Sequence, residues 1–387
     1  MTHRWIASSA EVAEFVDRAM GEPRYALDTE FHRERTYFPK LALVQIAAAG
    51  EIVLIDPLVC DLAPLKDLFH SSSLAVLHAA QQDLDVLSHA VGAVPVSMFD
   101  TQLAAGFLGY STPSLVSLLH SELKVAAAKG DRLTDWLRRP LTSDQREYAA
   151  SDVAHLLQLH DGLLAKLVEL GRTEWVADAC TELLRKPVSG QDPDQAWTRL
   201  KDVRVLKPRA RGVARAVAAW RERRAMASDI PVRQVLPDLA ILGIAQKQPR
   251  TVQELAQARG VDDRHTRGSI GTELLAAVKE GAETEVHLPA PDGDDLDRQL
   301  RPAVTLVSAW VSEVARQERI DTALLATRSD LVAFLRGDAD ARLASGWRHD
   351  LLGDGIRRLV EGRAAITFDG KGGLHLIEVP SALGDPA

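Results

Sequence analysis

The strongest fold signal in this chain is Arg24-Tyr25-Ala26-Leu27-Asp28-Thr29-Glu30-Phe31. The stretch predicts a largely apolar β-strand that places Asp28 and Glu30 at positions i and i+2, on one face of the pleat. Glu30 would lie at the carboxyl end of a buried strand, where α/β sheets place their functional sites. Neighbouring carboxylates need a compensating cation, and hard divalent ions prefer oxygen ligands. The pair therefore predicts a metal site, although most acidic pairs of this kind are surface residues.

Two later segments add further candidate ligands. Asp83 follows an apolar strand candidate at 74–78 and begins a helix, whereas Tyr148 and Asp152 share one face of another helix. Asp83 and Asp152 can also be helix-dipole residues, and Tyr148 can be a core residue. Taken together, the acids can hold two divalent ions about 3.5–4 Å apart, which clamp the attacking and leaving oxygens of an in-line displacement. Tyr148 would then orient the attacking water by hydrogen bonding.

The alternation of strands and helices between residues 3 and 175 predicts an α/β fold with a mixed sheet flanked by helices. Three strands close together, followed by strand–helix units, indicate a β-meander. The strand candidates are 24–31, 41–46, 52–56 and 74–78, and the helices begin near residues 11, 62, 82, 101, 114 and 143. The last helix is predicted to run from Ser143 to Leu170, with Thr142 and Gln145 as a capping box and Gly171 after its end.

Two Pro- and Asp-rich segments, 186–194 and 289–295, predict linkers. They give domain bounds of 1–190, 205–285 and 296–380, with two small all-α blocks after the first domain. The spacing of ten from Trp220 to Ile230 recurs from Trp310 to Ile320. This suggests that the two helical blocks are a diverged repeat.

Charge is distributed unevenly along the chain. The net charge is −8, yet residues 199–250 hold 13 Lys and Arg against 4 Asp and Glu, a local net charge of +9. A basic helix from Arg209 to Arg224 therefore predicts a surface that binds a polyanion, with an ordinary solvated helix face as the alternative. Its arginines are Arg209, Arg211, Arg215, Arg221, Arg223 and Arg224.

The remaining composition excludes several classes of protein. Cys60 and Cys180 are the only cysteines and lie far apart, which favours a reducing, intracellular setting. The N-terminus lacks the apolar core of a signal peptide, and no apolar run of about 18 residues predicts a membrane span. A cytoplasmic protein that acts without a membrane is expected, and a monomer is the default. No phosphate-binding Gly-Lys-Ser/Thr loop occurs, so ATP-driven unwinding is not expected.

Several segments, taken in order, resemble the ribonuclease D family of DEDD 3′–5′ exonucleases, in the subclass with a tyrosine in the third motif. The segments are Asp28 to Leu41, His78 to Asp83, Asp100 to Gln102, Thr134 to Leu141, and Tyr148-x-x-x-Asp152. The two later blocks resemble HRDC domains, which are helical nucleic-acid-binding modules also found in RecQ-type helicases. The resemblance covers nearly the whole chain and implies a ribonuclease H-like catalytic domain.

The resemblance also implies roles for individual residues. Metal ligands would be Asp28, Glu30, Asp83 and Asp152, with Asp28 bridging two ions and Asp83 acting partly through a bound water. Tyr148 would position the nucleophilic water. Substrate contacts would be Thr29 and Phe31 at the terminal nucleotide, together with His78, Trp136 and Arg139. For Trp136 a role as core anchor is the alternative, and Asp85 is treated as a surface residue.

These residues predict an exoribonuclease that uses two divalent ions, Mg²⁺ or Mn²⁺. The expected substrate is structured RNA with a single-stranded 3′ end, such as a tRNA precursor, and the expected products are 5′-monophosphates. A DNA exonuclease of proofreading or repair type is the first alternative, because two-metal chemistry is common to both. The second is an RNA-binding scaffold with a decayed nuclease fold, which would require the loss of at least one acid.

Overall fold

The computed structural model describes residues 2–126, 134–186, 192–287 and 299–379. We call residues 2–186 the sheet block, 192–287 the middle block and 299–379 the C-terminal block. Most of the first predicted linker and all of the second lie outside the described residues. Within the described ranges, no helix has the length and apolarity that a membrane crossing needs.

The sheet block is built on a mixed six-stranded sheet in the order β1-β4-β3-β2-β5-β6. Its strands are β1 (Arg4–Ile6), β2 (Arg24–His32), β3 (Lys40–Ala48), β4 (Glu51–Ile55), β5 (Leu74–Leu77) and β6 (Met98–Asp100). Strands β2, β3 and β4 form the predicted antiparallel meander, and β5 and β6 extend it in parallel. The predicted α/β class is confirmed. The outer strands β1 and β6 were missed, because three residues each are too few to show a periodicity.

Helices cover both faces of this sheet, which explains why β3 is almost continuously apolar and buried. They are α1 (Ser9–Ala19), α2 (Leu65–His70), α3 (Gln81–Ala90), α4 (Thr101–Gly106), α5 (Leu115–Leu123), α6 (Ser143–Ala154), α7 (Leu156–Glu169) and α8 (Thr173–Leu184). Helix α6 lies across β2, β3 and β4.

The single helix predicted from Ser143 to Leu170 was wrong, because it is two helices. His155 leaves the helical conformation at φ −115° and ψ 2°, and separates α6 from α7. The break lets α6 pack on the meander while α7 packs against α4, β2 and β5. The predicted ends are confirmed: Thr142 and Gln145 form a capping box, and Gly171 follows α7 with φ +67°.

The middle block is an all-helical unit with a hydrophobic core of its own. Its elements are 3₁₀ turns at Pro193–Arg199, Val203–Val205 and Asp263–His265, with α9 (Pro208–Ser228), α10 (Val232–Val235), α11 (Asp238–Lys247), α12 (Val252–Ala256) and α13 (Gly268–Ala282). Helices α9 and α13 cross at Gly212 and Gly281. A Cβ at Gly212 would lie 2.0 Å from the Thr284 carbonyl oxygen, so this crossing requires glycine.

The C-terminal block begins with the same order of long, short and medium helices. Its elements are α14 (Arg301–Glu318), α15 (Thr322–Leu325), α16 (Arg328–Arg336), α17 (Gly346–Arg348), a π turn at His349–Gly353, α18 (Asp354–Val360), β7 (Ala364–Phe368) and β8 (Leu374–Glu378). The prediction of an all-α block was wrong, because residues 364–378 form a β-hairpin after the helices. Gly370 and Gly372 have positive φ in its turn, which the surrounding Asp-Gly-Lys-Gly-Gly sequence accommodates.

The C-terminal block shares the hydrophobic core of the sheet block, whereas the middle block does not. Leu324 packs closely on Gly106. A Cβ added at Gly106 would lie only 2.5 Å from the Cδ1 atom of Leu324. The Asp321 amide donates to the Gly106 carbonyl at 2.8 Å, and Arg172 pairs with Glu318 at 2.8 Å. The C-terminal block therefore packs against the sheet block through a shared hydrophobic core and polar contacts.

Candidate active site

Strand β2 carries the first two predicted ligands. Asp28 pairs in register with Gln45 of β3, and Glu30 pairs with Leu43, so both acids face the side of the sheet that α6 covers. A β-bulge follows Glu30 and turns the strand before Phe31. Both carboxylates are half-buried at the carboxyl end of the strand.

Helix α3 brings Asp83 to the same place. Asp83 lies in the first turn of α3 and is buried, and the Thr29 hydroxyl donates to its Oδ1 at 2.5 Å. The turn before α3 is fixed by buried Asp100, whose carboxylate accepts the amides of Ala79 and Ala80 at 3.1 and 2.8 Å. Asp100 also caps α4, so one carboxylate holds two helix starts.

Helix α6, which packs on the meander of β2, β3 and β4, carries Tyr148 and Asp152. The Tyr148 ring lies 6.1 Å from the Trp136 ring, at an angle of 32°. Asp152 lies one turn later and contributes negative charge at both Asp28 and Glu30. Three elements that are far apart in sequence thus bring the predicted acids to one electrostatic cluster.

The cluster is strongly repulsive. Burial, followed by the charges of Asp83, Asp152 and Glu30, raises the pKa of Asp28 well above its usual range. Burial, with Asp152 and Asp83, raises the pKa of Glu30 to about 8. Burial also raises the pKa of Asp83 to about 7, although the Thr29 hydroxyl opposes the shift. Protons or cations must therefore compensate these acids at neutral pH.

A divalent metal fits this set of donors. All four side chains offer hard carboxylate oxygens, and the raised pKa values of Asp28, Glu30 and Asp83 are what crowded acids without a compensating cation produce. In the part of the chain that the structure describes, no three His, Cys, Asp or Glu side chains form a ready-made metal site. Binding of a cation would have to draw the carboxylates together.

Two residues predicted as substrate contacts, Trp136 and Arg139, make structural contacts within the protein, and their contact with substrate stays a prediction. Arg139 donates from Nε and an Nη to the two Asp56 oxygens, both at 2.7 Å, and further to the carbonyls of Ala42 and Trp136. Trp136 is only 5% exposed and packs beneath Tyr148. Because these contacts occupy both side chains, we assign Trp136 and Arg139 to anchoring segment 134–141 against the sheet.

His78 lies next to the cluster in a half-buried position. The Thr101 hydroxyl donates to the Leu77 carbonyl at 2.9 Å, so its oxygen accepts from His78 Nδ1 at 2.9 Å. Burial lowers the pKa of His78, against the charge of Asp100 and the Pro113 carbonyl. Its contact with substrate stays a prediction.

Thr29 and Phe31 lie beside the acids, as expected. Thr29 is buried and engaged with Asp83, whereas Phe31 is half-buried with the Arg33 guanidinium 5.5 Å from its ring centroid. Asp85 is not a surface residue as predicted, because it is half-buried and forms an ion pair with Arg33.

Gln45 is the residue that sequence reasoning missed. It is fully buried opposite Asp28, and neither polar atom of its amide has a hydrogen-bond partner among the described residues. A polar residue inside the otherwise apolar strand Lys40–Ala48 was the signal that could have found it. Its amide lies on the face of the acids and is available to a polar group there.

Three of the six arginines of the predicted basic surface on α9 are paired with carboxylates. Arg221 is buried and donates to Asp238 at 2.5 Å, Arg224 pairs with Glu273 at 2.9 Å, and Arg223 lies 3.5 Å from Asp194. These arginines stabilise the middle block, and the prediction that the whole helix Arg209–Arg224 faces RNA was wrong in this respect.

The comparisons with known proteins identify the family of the chain. Residues 3–168 match the family model of a 3′-5′ exonuclease, and residues 210–278 match the HRDC domain. Ribonuclease D of Jannaschia sp. (strain CCS1) is 35% identical over 376 residues, 95% of this chain and 97% of the relative. Ribonuclease D of Gluconacetobacter diazotrophicus is 36% identical over 372 residues, 94% of each chain.

A solved structure extends the match to three dimensions. The crystal structure of Escherichia coli RNase D, described as an exoribonuclease involved in structured RNA processing, superposes with a TM-score of 0.83. It is 28% identical and covers 94% of this chain and 99% of its own. The sheet block is thus a 3′–5′ exonuclease domain, the domain of a hydrolase of phosphodiester bonds. The chain belongs to the ribonuclease D family and is a 3′–5′ exoribonuclease. Membership implies divalent metal ions.

Proposed function

We propose that this exoribonuclease uses two divalent ions, Mg²⁺ or Mn²⁺, to trim the 3′ ends of structured RNA such as tRNA precursors. The observation that carries the proposal is the convergence of Asp28, Glu30, Asp83 and Asp152 from β2, α3 and α6. Their mutual repulsion supports a site that is complete only with added positive charge.

The four acids would hold the ions, and bound ions would activate a water and neutralise charge on the leaving 3′ oxygen. The chain's own residues would orient the reactants. Tyr148, kept in place by Trp136, would direct a water towards the last phosphorus. The water oxygen forms a bond to phosphorus while the bond to the 3′ oxygen breaks, and that oxygen leaves as a hydroxyl on the shortened RNA. The released nucleotide keeps its phosphate on the 5′ oxygen.

The residues beside the acids suit the terminal nucleotide of a single strand. Phe31 offers a half-buried aromatic face directly after Glu30, where a base can stack. Thr29 ties the same strand to Asp83, which would keep the scissile phosphate in line with the acids. We place the terminal nucleotide here, at the carboxyl end of β2.

For the body of the RNA we propose a different surface from the one predicted. A groove of about 910 Å³ in the middle block, here called the basic groove, is lined by Arg209, Lys247, Arg250 and Lys279 with Glu283. None of these cations forms an ion pair with a described carboxylate, in contrast to Arg221 and Arg224. Uncompensated cations are what phosphate binding requires.

The test compares a 3′-extended tRNA with single-stranded DNA of matched sequence, in Mg²⁺ or Mn²⁺ and with or without chelator. We expect stepwise shortening of the RNA that stops when chelator is added. Absence of RNA shortening in both metals would refute the proposal, and faster shortening of DNA would favour the DNA exonuclease. The monomeric state and the cytoplasmic location stay predictions.

A further inference from the structure

Residues 33–39 connect β2 to β3, and we call them the bridging loop. The loop follows Glu30 and Phe31 almost directly, so its path determines how the carboxyl end of β2 lies. It runs between α3, which carries Asp83, and α9 of the middle block. These two sides of the loop make different contacts.

On the side of the acids, the bridging loop is tied to α3. The Arg33 guanidinium forms an ion pair with Asp85. The Phe38 ring stacks on the His89 imidazole, with ring centroids 4.0 Å apart and an interplanar angle of 10°. Both partners lie on α3, the helix that carries Asp83, so the loop connects the strand of Asp28 and Glu30 to the helix of the third acid.

On the other side, the loop is docked on α9. The Tyr37 hydroxyl donates to Glu222 Oε1 at 2.8 Å, and the Phe38 amide donates to Asp229 Oδ1 at 3.0 Å. Arg199 donates to the same Glu222 oxygen at 3.1 Å. The Glu222 side chain is 4% exposed, and Tyr37 packs against the core of the middle block. Of the two contacts, the one to the buried Glu222 carboxylate is the more strongly shielded from water, and a shielded hydrogen bond to a carboxylate holds geometry firmly.

We propose that Tyr37, Glu222 and Asp229 are positioning residues of the nuclease. Docking of α9 on the bridging loop fixes the carboxyl end of β2 relative to α3, and so fixes the acids relative to the terminal nucleotide. The middle block then contributes to cleavage itself, in addition to any binding of the RNA body. The inference rests on the proposed site at Asp28, Glu30, Asp83 and Asp152.

The test uses the full chain and a 5′-labelled trinucleotide RNA, which is too short to need the basic groove. The double variant Tyr37→Phe/Asp229→Gly removes both donor–acceptor pairs. Glycine accepts the positive φ of 47° at position 229 without strain. We expect kcat to fall about 10-fold with KM changed less than about twofold, because a small displacement near reacting groups is costly. The single variant Asp229→Asn keeps an acceptor for the Phe38 amide, so its kcat should stay close to that of the wild type.

Glu273→Gln serves as the matched control. It weakens the Arg224–Glu273 pair inside the middle block, away from the bridging loop, and should leave kcat unchanged. A second measurement is hydrogen exchange of the metal-free protein. Amides of the bridging loop should exchange faster in the double variant than in the wild type, and not in Glu273→Gln.

Unchanged kcat on the trinucleotide in a folded double variant would overturn the inference. A loss confined to long RNA would overturn it too, because the middle block would then only bind RNA. If the double variant does not fold, Tyr37→Phe alone carries the test, with an expected fall in kcat of about threefold. A wild-type chain that cleaves no RNA contradicts the proposed function instead.

Discussion

Gln45 is the residue whose burial is hardest to explain by packing. It is fully enclosed in β3, directly opposite Asp28, and its amide pairs with no group among the described residues. An unsatisfied buried amide costs about 1–3 kcal/mol, which an apolar side chain would avoid. Its position on the face of the acids leads to the hypothesis that its amide takes part in the reaction.

Replacing Gln45 by methionine, which has a similar shape, should separate stability from activity. We expect the free energy of unfolding of the metal-free protein to rise by about 1 kcal/mol, while exonuclease activity falls. Denaturant unfolding and the rate of RNA shortening measure the two effects. Gln158→Met, at an exposed position on α7, is the control and should change neither. Full activity in Gln45→Met would mean that the amide has no role in catalysis.

The acids themselves make the metal-free protein sensitive to pH. Glu30 and Asp83 have pKa values of about 8 and about 7 in the folded protein, against 4.5 and 3.8 as ordinary values. The folded state therefore binds more protons than the unfolded state between these limits, and its stability falls as pH rises from about 4 towards 8.

Asp28→Asn should weaken this dependence, because it removes one of the repelling charges. We expect a smaller loss of melting temperature between pH 5.5 and pH 8 in metal-free buffer than the wild type shows. We also expect activity to fall by at least about 100-fold. Glu147→Gln, an exposed change on α6, is the control. An equally steep pH profile in Asp28→Asn would show that the acids do not repel one another as described.

At the scale of elements, the sequence predicted those strands and helix ends that depend only on residues close together in the chain. The strand bearing Asp28 and the capping box at Thr142 are visible from neighbouring residues, and both are confirmed. The break at His155 depends instead on where α6 and α7 pack, which no local pattern records.

The crossing of α9 and α13 offers a sharp test of element packing. Gly212→Ala would place a Cβ 2.0 Å from the Thr284 carbonyl oxygen and 2.4 Å from that of Gly281. We expect a loss of about 1–3 kcal/mol in the stability of the middle block, measured by denaturant unfolding. Gly162→Ala in α7 is the matched control, because its Cβ would have no heavy atom within 4 Å and should stabilise the helix slightly. Equal stability of both variants would contradict the close crossing.

At the scale of the molecule, the two helical blocks differ in how they join the sheet block. The C-terminal block continues its hydrophobic core, whereas the middle block touches it through the bridging loop and keeps a separate core. The basic groove that we propose for the RNA body lies on this separately packed middle block. The repeat visible at Trp220 and Trp310 predicted the shared helix order, but not this difference in attachment.

Ion pairs between residues far apart in the chain are the contacts that could not be predicted from the sequence. Arg139 pairs with Asp56, 83 residues away, and Arg224 pairs with Glu273, 49 residues away. Both arginines looked like free cations, and only tertiary structure shows that they are occupied. The acids were easier to propose from the sequence, because each lies in a short local pattern: Asp28 and Glu30 on one strand, Asp83 at a helix start, and Asp152 one turn after Tyr148.

The basic groove gives the molecule its expected contact with the RNA body. Reversing Lys247, Arg250 and Lys279 to glutamate should weaken binding of a structured RNA and make it less dependent on salt. Each lost phosphate contact lowers the salt slope by about 0.7–0.9. Arg328→Glu, exposed on α16, is the control. An unchanged salt slope after triple reversal would place the RNA elsewhere.

The most direct measurement follows a 5′-labelled, 3′-extended tRNA in Mn²⁺ with the wild type, Asp152→Asn and Tyr148→Phe, and identifies the released nucleotides. We predict a ladder of products shortened one nucleotide at a time and nucleoside 5′-monophosphates from the wild type. Asp152→Asn should give almost none, and Tyr148→Phe should give a reduced rate. Internal cleavage, 3′-phosphate products, or full activity in Asp152→Asn would contradict the assignment of the acid cluster as the exonuclease site.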